Sequence, residues 1–266
     1  MRIEQFKVFA NQLADQAREI ALDHFRTKLD IESKSDNTPV SIADKSIEKT
    51  LRNAINNVFP DHGILGEEYE RQHTNSEYLW VIDPIDGTKS FITGHPTFGC
   101  LIALLHDDVP IVGIIEMPAL KERWIGVKDQ AVCFNGSNVK TSNQRVLPEA
   151  IIACTGIDFF NAAELPVFNH LSKQGKFRLF GGDCYNYGLL ASGFVDVVME
   201  SDLKPFDYMA LVPVIESAGG IVTDWQGEKL TPDSSGQVLA CANMYLHRLC
   251  LNEIVKALDP DYNITA

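Results

Sequence analysis

Phe6, Phe9, Ala10, Leu13, Ala17, Ile20, Ala21 and Phe25 recur along the start of the chain at spacings of mostly three or four residues. That period gathers them on one stripe of an amphipathic helix packed on the body of the protein. A second stripe, Ala43, Ile47, Leu51, Ala54, Ile55 and Val58, predicts a helix from about Ser41 that Pro60 stops, with Asp44 in its first turn. From Tyr78 the pattern changes to nearly continuous apolar runs, YLWVI, FGCLIALLH, PIVGIIEMP and KERWIGVK, followed by a turn at Asn135-Gly136. Runs that alternate so poorly predict well-buried strands of a sheet covered by helices. Beyond residue 150 strands and helices interleave: IIACTG, a helical segment around Pro166 to Gln174, KFRLF, a helix from about Asp183 to Ser192, VDVVME, a helix after Asp207, and IVTDW. Pro213 falls inside that last helix, tolerable near its first turns but expected to bend the turns beyond it. The pattern predicts an α/β (α+β) protein whose first part flanks a mainly antiparallel sheet with helices. KTSNQRVLPEA is the expected boundary between an N-terminal lobe, 1–145, and a C-terminal α/β lobe, 146–266.

At 266 residues and 45% hydrophobic content the chain can bury a sizeable core. No apolar run approaches the roughly 20 residues that cross a bilayer, and MRIEQFKVFANQLADQAREIALDHF lacks the sections of a signal peptide. A cytoplasmic protein without a membrane partner is expected, in which the sequon at Asn263-Ile264-Thr265 has no meaning. The six cysteines show no CxxC spacing and mostly sit in apolar surroundings, so no disulfide framework is expected. A formal net charge of −13 argues against nucleic acid as a partner. The same charge would repel a phosphorylated substrate unless cations intervene.

Acidic residues carry the candidate chemistry. Glu67 and Glu68 can be solvated loop charge, Asp83 and Asp86 turn formers, Asp207 a helix N-cap and Asp44 a favourable first-turn charge. Together they suggest one job. Asp83 and Asp86 end a buried strand, where bare carboxylates would repel each other unless something cationic lies between them. Hard divalent cations such as Mg²⁺ take carboxylate and carbonyl oxygens, and the Ile85 carbonyl falls between the two aspartates, with a turn at Pro84 directing it to the site. Gly87 and Thr88 come next, and their backbone N–H groups can approach a phosphate closely.

GEE at 66–68, DPIDGT at 83–88 and FDYMALVPVIESAGG at 206–220 closely resemble the motifs of the inositol monophosphatase superfamily, Mg²⁺-dependent, lithium-sensitive phosphatases. The resemblance implies a layered α/β sandwich, usually a homodimer. It implies one metal at Glu67, Asp83 and the Ile85 carbonyl, a second at Asp83, Asp86 and Asp207, and a weaker third near Glu67. It also implies that Thr88, supported by Asp44 and Glu67, orients the attacking water. Two metals can then drive in-line hydrolysis of a small phosphate monoester without a covalent phospho-enzyme.

Substrate choice is expected to lie outside those motifs. Glu200 matches the family's substrate-contacting acid, and Asp183 stands where inositol-specific members carry a small neutral residue. Asp183 is either a helix N-cap or, beside Glu200 and the substrate-facing Asp86, a carboxylate that wants a cationic substrate group. The stretches DPIDGTKSFITGHPTFGCLIALL, KERWIG, GGDCYNYGLLASGFVD and LKPFDYMALVPVIESAGG resemble the histidinol-phosphate phosphatase branch, which serves histidine biosynthesis. Histidinol phosphate is the expected substrate, with an inositol-1-phosphatase or broad-specificity phosphatase as the alternative. Lys89 either nears the phosphate or is solvated. GxSxG, HExxH, GxxxxGK[ST] and GxGxxG motifs are all missing from the sequence, and His62, His73, His95 and His106 read as surface or loop residues.

Overall fold

A computed structural model describes residues 2–27, 31–33, 39–73 and 76–259, and the Asn263 sequon lies outside them. In chain order the elements are α1 (Arg2–His24), β1 (Ile31–Ser33), β2 (Pro39–Ser41), α2 (Ile42–Val58), β3 (Gly63–Gly66), β4 (Tyr78–Asp86), α3 (Thr88–Ile92), β5 (Gly99–His106), β6 (Val109–Met117), β7 (Glu122–Val127), β8 (Cys133–Phe134) and β9 (Ser137–Asn138). They continue with β10 (Ile151–Cys154), α4 (Glu164–Ser172), β11 (Phe177–Phe180), α5 (Tyr185–Ala191), β12 (Val197–Glu200), α6 (Pro205–Tyr208), α7 (Leu211–Ser217), β13 (Ile221–Thr223), β14 (Val238–Cys241) and α8 (Met244–Leu258).

Strand β4 shows why its sequence does not alternate. Tyr78, Trp80 and Ile82 point to one face and join a core with Phe6, Leu13, Ile47 and Leu51 of α1 and α2. Leu79 and Val81 point to the other face and join a second core with α5, α7 and the inner side of a second sheet. Both faces are dry, so both sets of positions are apolar. The first sheet has seven strands in the order β3-β4-β5-β6-β7-β8-β9 and is antiparallel except for the parallel β3–β4 pair. The second has five, β11-β10-β12-β14-β13, parallel around β10 and antiparallel around β14. Its outer face packs on α4 and α8 through Ile152, Val197, Leu239, Leu246, Cys250 and Ile254. The stack is helix, sheet, helix, sheet, helix, the layered α/β sandwich expected. Residues on both sides of position 145 share the middle core.

Helix α7 reaches the first sheet because Gly113 and Gly126 leave room for it. A Cβ on Gly126 would lie 2.3 Å from the Pro213 backbone, and one on Gly113 2.1 Å from the Ala210 carbonyl oxygen. Pro213 is the third residue of α7, where its N–H would have no intrahelical partner in any case. Asn135 (φ 44°) and Gly136 (φ 85°) make the two-residue turn from β8 to β9 with both residues left-handed, as a tight hairpin requires.

Some expectations need correction. Val58 is exposed at the end of α2, and Phe59 takes its place, meeting Phe6, Phe9 and Trp80 edge-on or stacked. His62 is buried, its Nδ1 accepting from the Trp80 indole N–H at 3.1 Å. The region after Lys204 is two helices, with Asp207 inside the first. No turn occurs at Pro84, because β4 runs on to Asp86. All six cysteines are free. Among the described residues no helix is long and apolar enough to cross a membrane.

Candidate active site

Asp83 and Asp86 are three apart, so in a regular strand they would face opposite sides of the sheet. The ladder prevents this. Asp83 pairs with Leu101 and Asp86 with Gly99, so Pro84 and Ile85 on β4 stand against Cys100 alone on β5, and the extra residue is accommodated as a bulge at Pro84-Ile85. Proline is at home there because it has no N–H to give the ladder. Ile85 keeps its side chain in the outer core while both aspartates turn to the inner face. The bulge, rather than a turn, aims the pair.

Asp207 approaches from α6, its carboxylate accepting the Lys204 N–H at 2.6 Å. One carboxylate oxygen from each of Asp83, Asp86 and Asp207 lies within 4.8 Å of the others. Asp86 accepts the Cys184 N–H at 2.6 Å. Asp83 is buried, and its Oδ1 has no hydrogen-bond partner among the described residues. A buried carboxylate oxygen without a donor is costly, and two further acids crowded against it make it more so. Oxygen-only donors converging in this way fit a hard divalent cation.

The electrostatics agree. Burial, and then the charges of Glu67, Asp86 and Asp207, hold the Asp83 carboxyl well above the usual range. Burial with Asp183 and Asp207 does the same to Asp86, against the Cys184 N–H. Burial pushes Asp207 up to about 7, partly countered by the Lys204 N–H. Folded, these acids keep their protons to higher pH than they do unfolded. The metal-free protein should therefore lose stability as pH rises from about 4 to about 7. A divalent cation takes the proton's place, so the rise in Tm on adding Mg²⁺ should be several degrees near pH 8 and small near pH 5. Scanning calorimetry at both pH values reads this, and equal shifts would count against a cation among these acids.

Glu67, Gly87, Thr88, Asp183 and Glu200 line a cleft of ≈ 830 Å³ together with Asp86 and Asp207, while Asp44 and Ile85 are buried behind its wall. Glu67 follows the last residue of β3, which runs parallel to β4 with Gly66 opposite Ile82, so Glu67 leaves the sheet beside Asp83. Asp44, in the first turn of α2, is fully buried and helps to raise the Cys100 thiol, which in turn adds to the rise at Asp83. Gly87 has φ +81°, a left-handed conformation that costs glycine little, and it swings the chain from β4 into α3. Thr88 opens α3, its hydroxyl donating to the Ile85 carbonyl at 3.2 Å. Lys89 lines the cleft with Nζ 5.1 Å from the centre of the Phe159 ring.

Asp183 is not a helix cap. The cap position of α5 is Cys184, and Asp183, at φ 47°, accepts from Ser90 Oγ at 2.9 Å. A Cβ on Gly87 would come within 2.8 Å of its carboxylate. Burial raises its pKa to about 6, Glu200 adding to the rise and Ser90 and Lys89 opposing it. Glu200 ends β12, buried, and accepts from the Thr155 N–H at 2.8 Å, the Thr155 hydroxyl and the Tyr187 hydroxyl at 2.7 Å.

Sequence reasoning missed Ser90, Thr155, Tyr187 and Glu48 among the residues that hold this site. Of these Glu48 left a signal, because it lies four residues after Asp44 beside the apolar stripe of α2, where a charge is out of place.

The chain matches the inositol monophosphatase family over residues 2–259. It is 44% identical over 240 residues to the bifunctional phosphatase IMPL2, chloroplastic, of Arabidopsis thaliana, covering 90% of this chain and 69% of that protein. It is 36% identical to a histidinol-phosphatase of Chlorobaculum parvum, covering 87% of this chain and 90% of the other. The solved structure of an inositol monophosphatase from Zymomonas mobilis superposes with a TM-score of 0.88 at 40% identity, covering 96% of this chain and 99% of that one. With its layered fold and converging acids, the chain belongs to the inositol monophosphatase family.

Proposed function

We propose that this metal-dependent phosphomonoesterase uses Mg²⁺ and hydrolyses histidinol phosphate to histidinol and phosphate. One observation supports the substrate: Asp183 and Glu200 line the same cleft as Asp86, close enough for Glu200 to raise the Asp183 pKa. A substrate ammonium or imidazolium would offset that repulsion, whereas a cyclitol hydroxyl would not. The Chlorobaculum parvum relative is named for the same reaction. The Zymomonas mobilis structure, an inositol monophosphatase, favours inositol phosphate as the second reading.

In this reading Glu67, Asp83 and the Ile85 carbonyl would hold one ion, and Asp83, Asp86 and Asp207 would hold another. Bound there, Mg²⁺ would lower the pKa of the attacking water and offset charge on the phosphate and the departing oxygen. Gly87 and Thr88 present backbone N–H groups to the phosphate at the start of α3. The Thr88 hydroxyl, supported by Asp44, orients the water, and the Glu67 carboxylate receives its one released proton as its oxygen bonds to phosphorus. The ester P–O bond breaks on the opposite side, and the alcohol oxygen leaves and takes up a proton. Asp183 and Glu200 hold the cationic end of the substrate.

Phosphate release from histidinol phosphate, inositol phosphate, fructose bisphosphate and adenosine bisphosphate, with and without Mg²⁺, tests the reading. Asp183→Asn sharpens the test, since asparagine tolerates positive φ and keeps an oxygen for Ser90. Losing one charge-assisted contact should lower kcat/KM for histidinol phosphate about 10- to 100-fold. Inositol phosphate hydrolysis should change by less than about 3-fold. Equal losses on both substrates would overturn the substrate assignment.

A further inference from the structure

Helix α2 carries Asp44, Glu48 and Arg52 at intervals of four, along one side of the helix. Asp44 belongs to the site already described. Glu48 is fully buried, with its carboxylate beneath the turn that follows β3. Its Oε2 accepts the Glu68 N–H at 2.7 Å, the Tyr69 N–H adds to its acceptor load, and its Oε1 accepts from Arg52 Nε at 2.7 Å. Arg52 also donates through Nη2 to the Tyr69 carbonyl at 3.1 Å, so the turn is held from the helix at two points. On the other side of Glu67, a Cβ on Gly66 would lie 2.0 Å from Glu48 Oε1. The chain entering Glu67 and the chain leaving it both rest against this one carboxylate.

A buried carboxylate is an expensive way to hold a loop unless the loop's position matters. Every contact Glu48 makes here is one in which it accepts, so a glutamine could not replace it. Its amide NH₂ would have to face either the turn's N–H groups or Arg52. We infer that Glu48 is a positioning residue that fixes the Glu67 carboxylate and thereby sets the protein's affinity for its divalent cation. This rests on the assignment of Glu67 as a metal ligand under Proposed function.

The test is titration calorimetry of the metal-free protein with Mg²⁺, together with the Mg²⁺ concentration for half-maximal phosphate release. It compares Glu48→Gln, Glu67→Gln and the double variant. Residues that orient metal ligands typically change affinity 10- to 100-fold, so Glu48→Gln should weaken Mg²⁺ binding by about that factor. Its kcat at saturating Mg²⁺ should stay within about 5-fold of the parent. The double variant should bind no more weakly than Glu67→Gln alone, because the two residues act through one ligand. Gly66→Ala approaches from the opposite side, pushing the Glu48 carboxylate away, and should weaken Mg²⁺ binding in the same direction even if Glu48→Gln does not fold. If Glu67→Gln weakens binding while Glu48→Gln and Gly66→Ala leave it unchanged, or if the two glutamate effects add fully, the inference is overturned. If Glu67→Gln itself leaves Mg²⁺ binding unchanged, the metal assignment of Glu67 fails and takes the inference with it.

Discussion

Asp83→Asn should lower kcat/KM by about 10³-fold or more while raising the melting temperature of the metal-free protein. The two effects have one cause. Asp83 is buried with Glu67, Asp86 and Asp207 acting on it, so its charge is costly until a cation arrives. Asparagine keeps the shape, removes that charge and relieves the other two aspartates. The same change removes the carboxylate assigned to both ions. Metal ions supply several kcal/mol of transition-state stabilisation, and about 4 kcal/mol corresponds to roughly 10³-fold in rate. Calorimetry in chelator and phosphate release in Mg²⁺ read the two halves separately. A variant that is both less active and less stable without metal would show that Asp83 is a packing residue, and the cage would have to be abandoned.

Gly126→Ala should cost about 3 kcal/mol of stability, at the upper end of overpacking penalties. The added methyl would run into the Pro213–Val214 peptide group, its carbon, oxygen and nitrogen all at 2.3 Å, and backbone cannot rotate away as a side chain can. Helix α7 would have to lift from β6 and β7. Because α6 joins α7 through only Met209 and Ala210, Asp207 should move with it, and Mg²⁺ should bind more weakly in the fraction that folds. Urea denaturation in chelator, compared with the parent, measures the first effect. A loss under about 1 kcal/mol would mean that the helix slides without cost and does not fix Asp207.

The stripes of α1 and α2 and the dry strands of the first sheet were legible because their information is local. A helix that packs on a sheet must repeat its apolar residues every three or four positions, and a strand covered on both faces must be apolar throughout. The motifs at 66–68, 83–88 and 206–220 likewise announced which acids meet. What the sequence concealed is set by partners far along the chain. Cys184 donates to Asp86 across 98 positions, Ser90 to Asp183 across 93, and Glu68 to Glu48 across 20, and no local pattern signals such pairs. The bulge at Pro84-Ile85 was hidden for a related reason. Asp-Pro reads as a turn wherever it stands, and only the ladder to β5 shows the strand continuing. Helix α8 escaped for a plainer one. Leu246, Cys250 and Ile254 carry its buried face at intervals of four, a stripe short enough to pass as loop and strand residues until β14 is seen beneath it.

The parallel pairing of β3 and β4 has a further consequence. Neighbouring strands lie about 4.8 Å apart wherever they hydrogen-bond, so the gap between the chain at Glu67 and the chain at Asp83 is inherited from the pleat. The stretches near Phe159 and Asp183, by contrast, leave the sheet before they reach the cleft. Such an architecture lets selection retune which ester is accepted while the grip on the ion stays the same, so relatives with different substrates can share one unaltered engine.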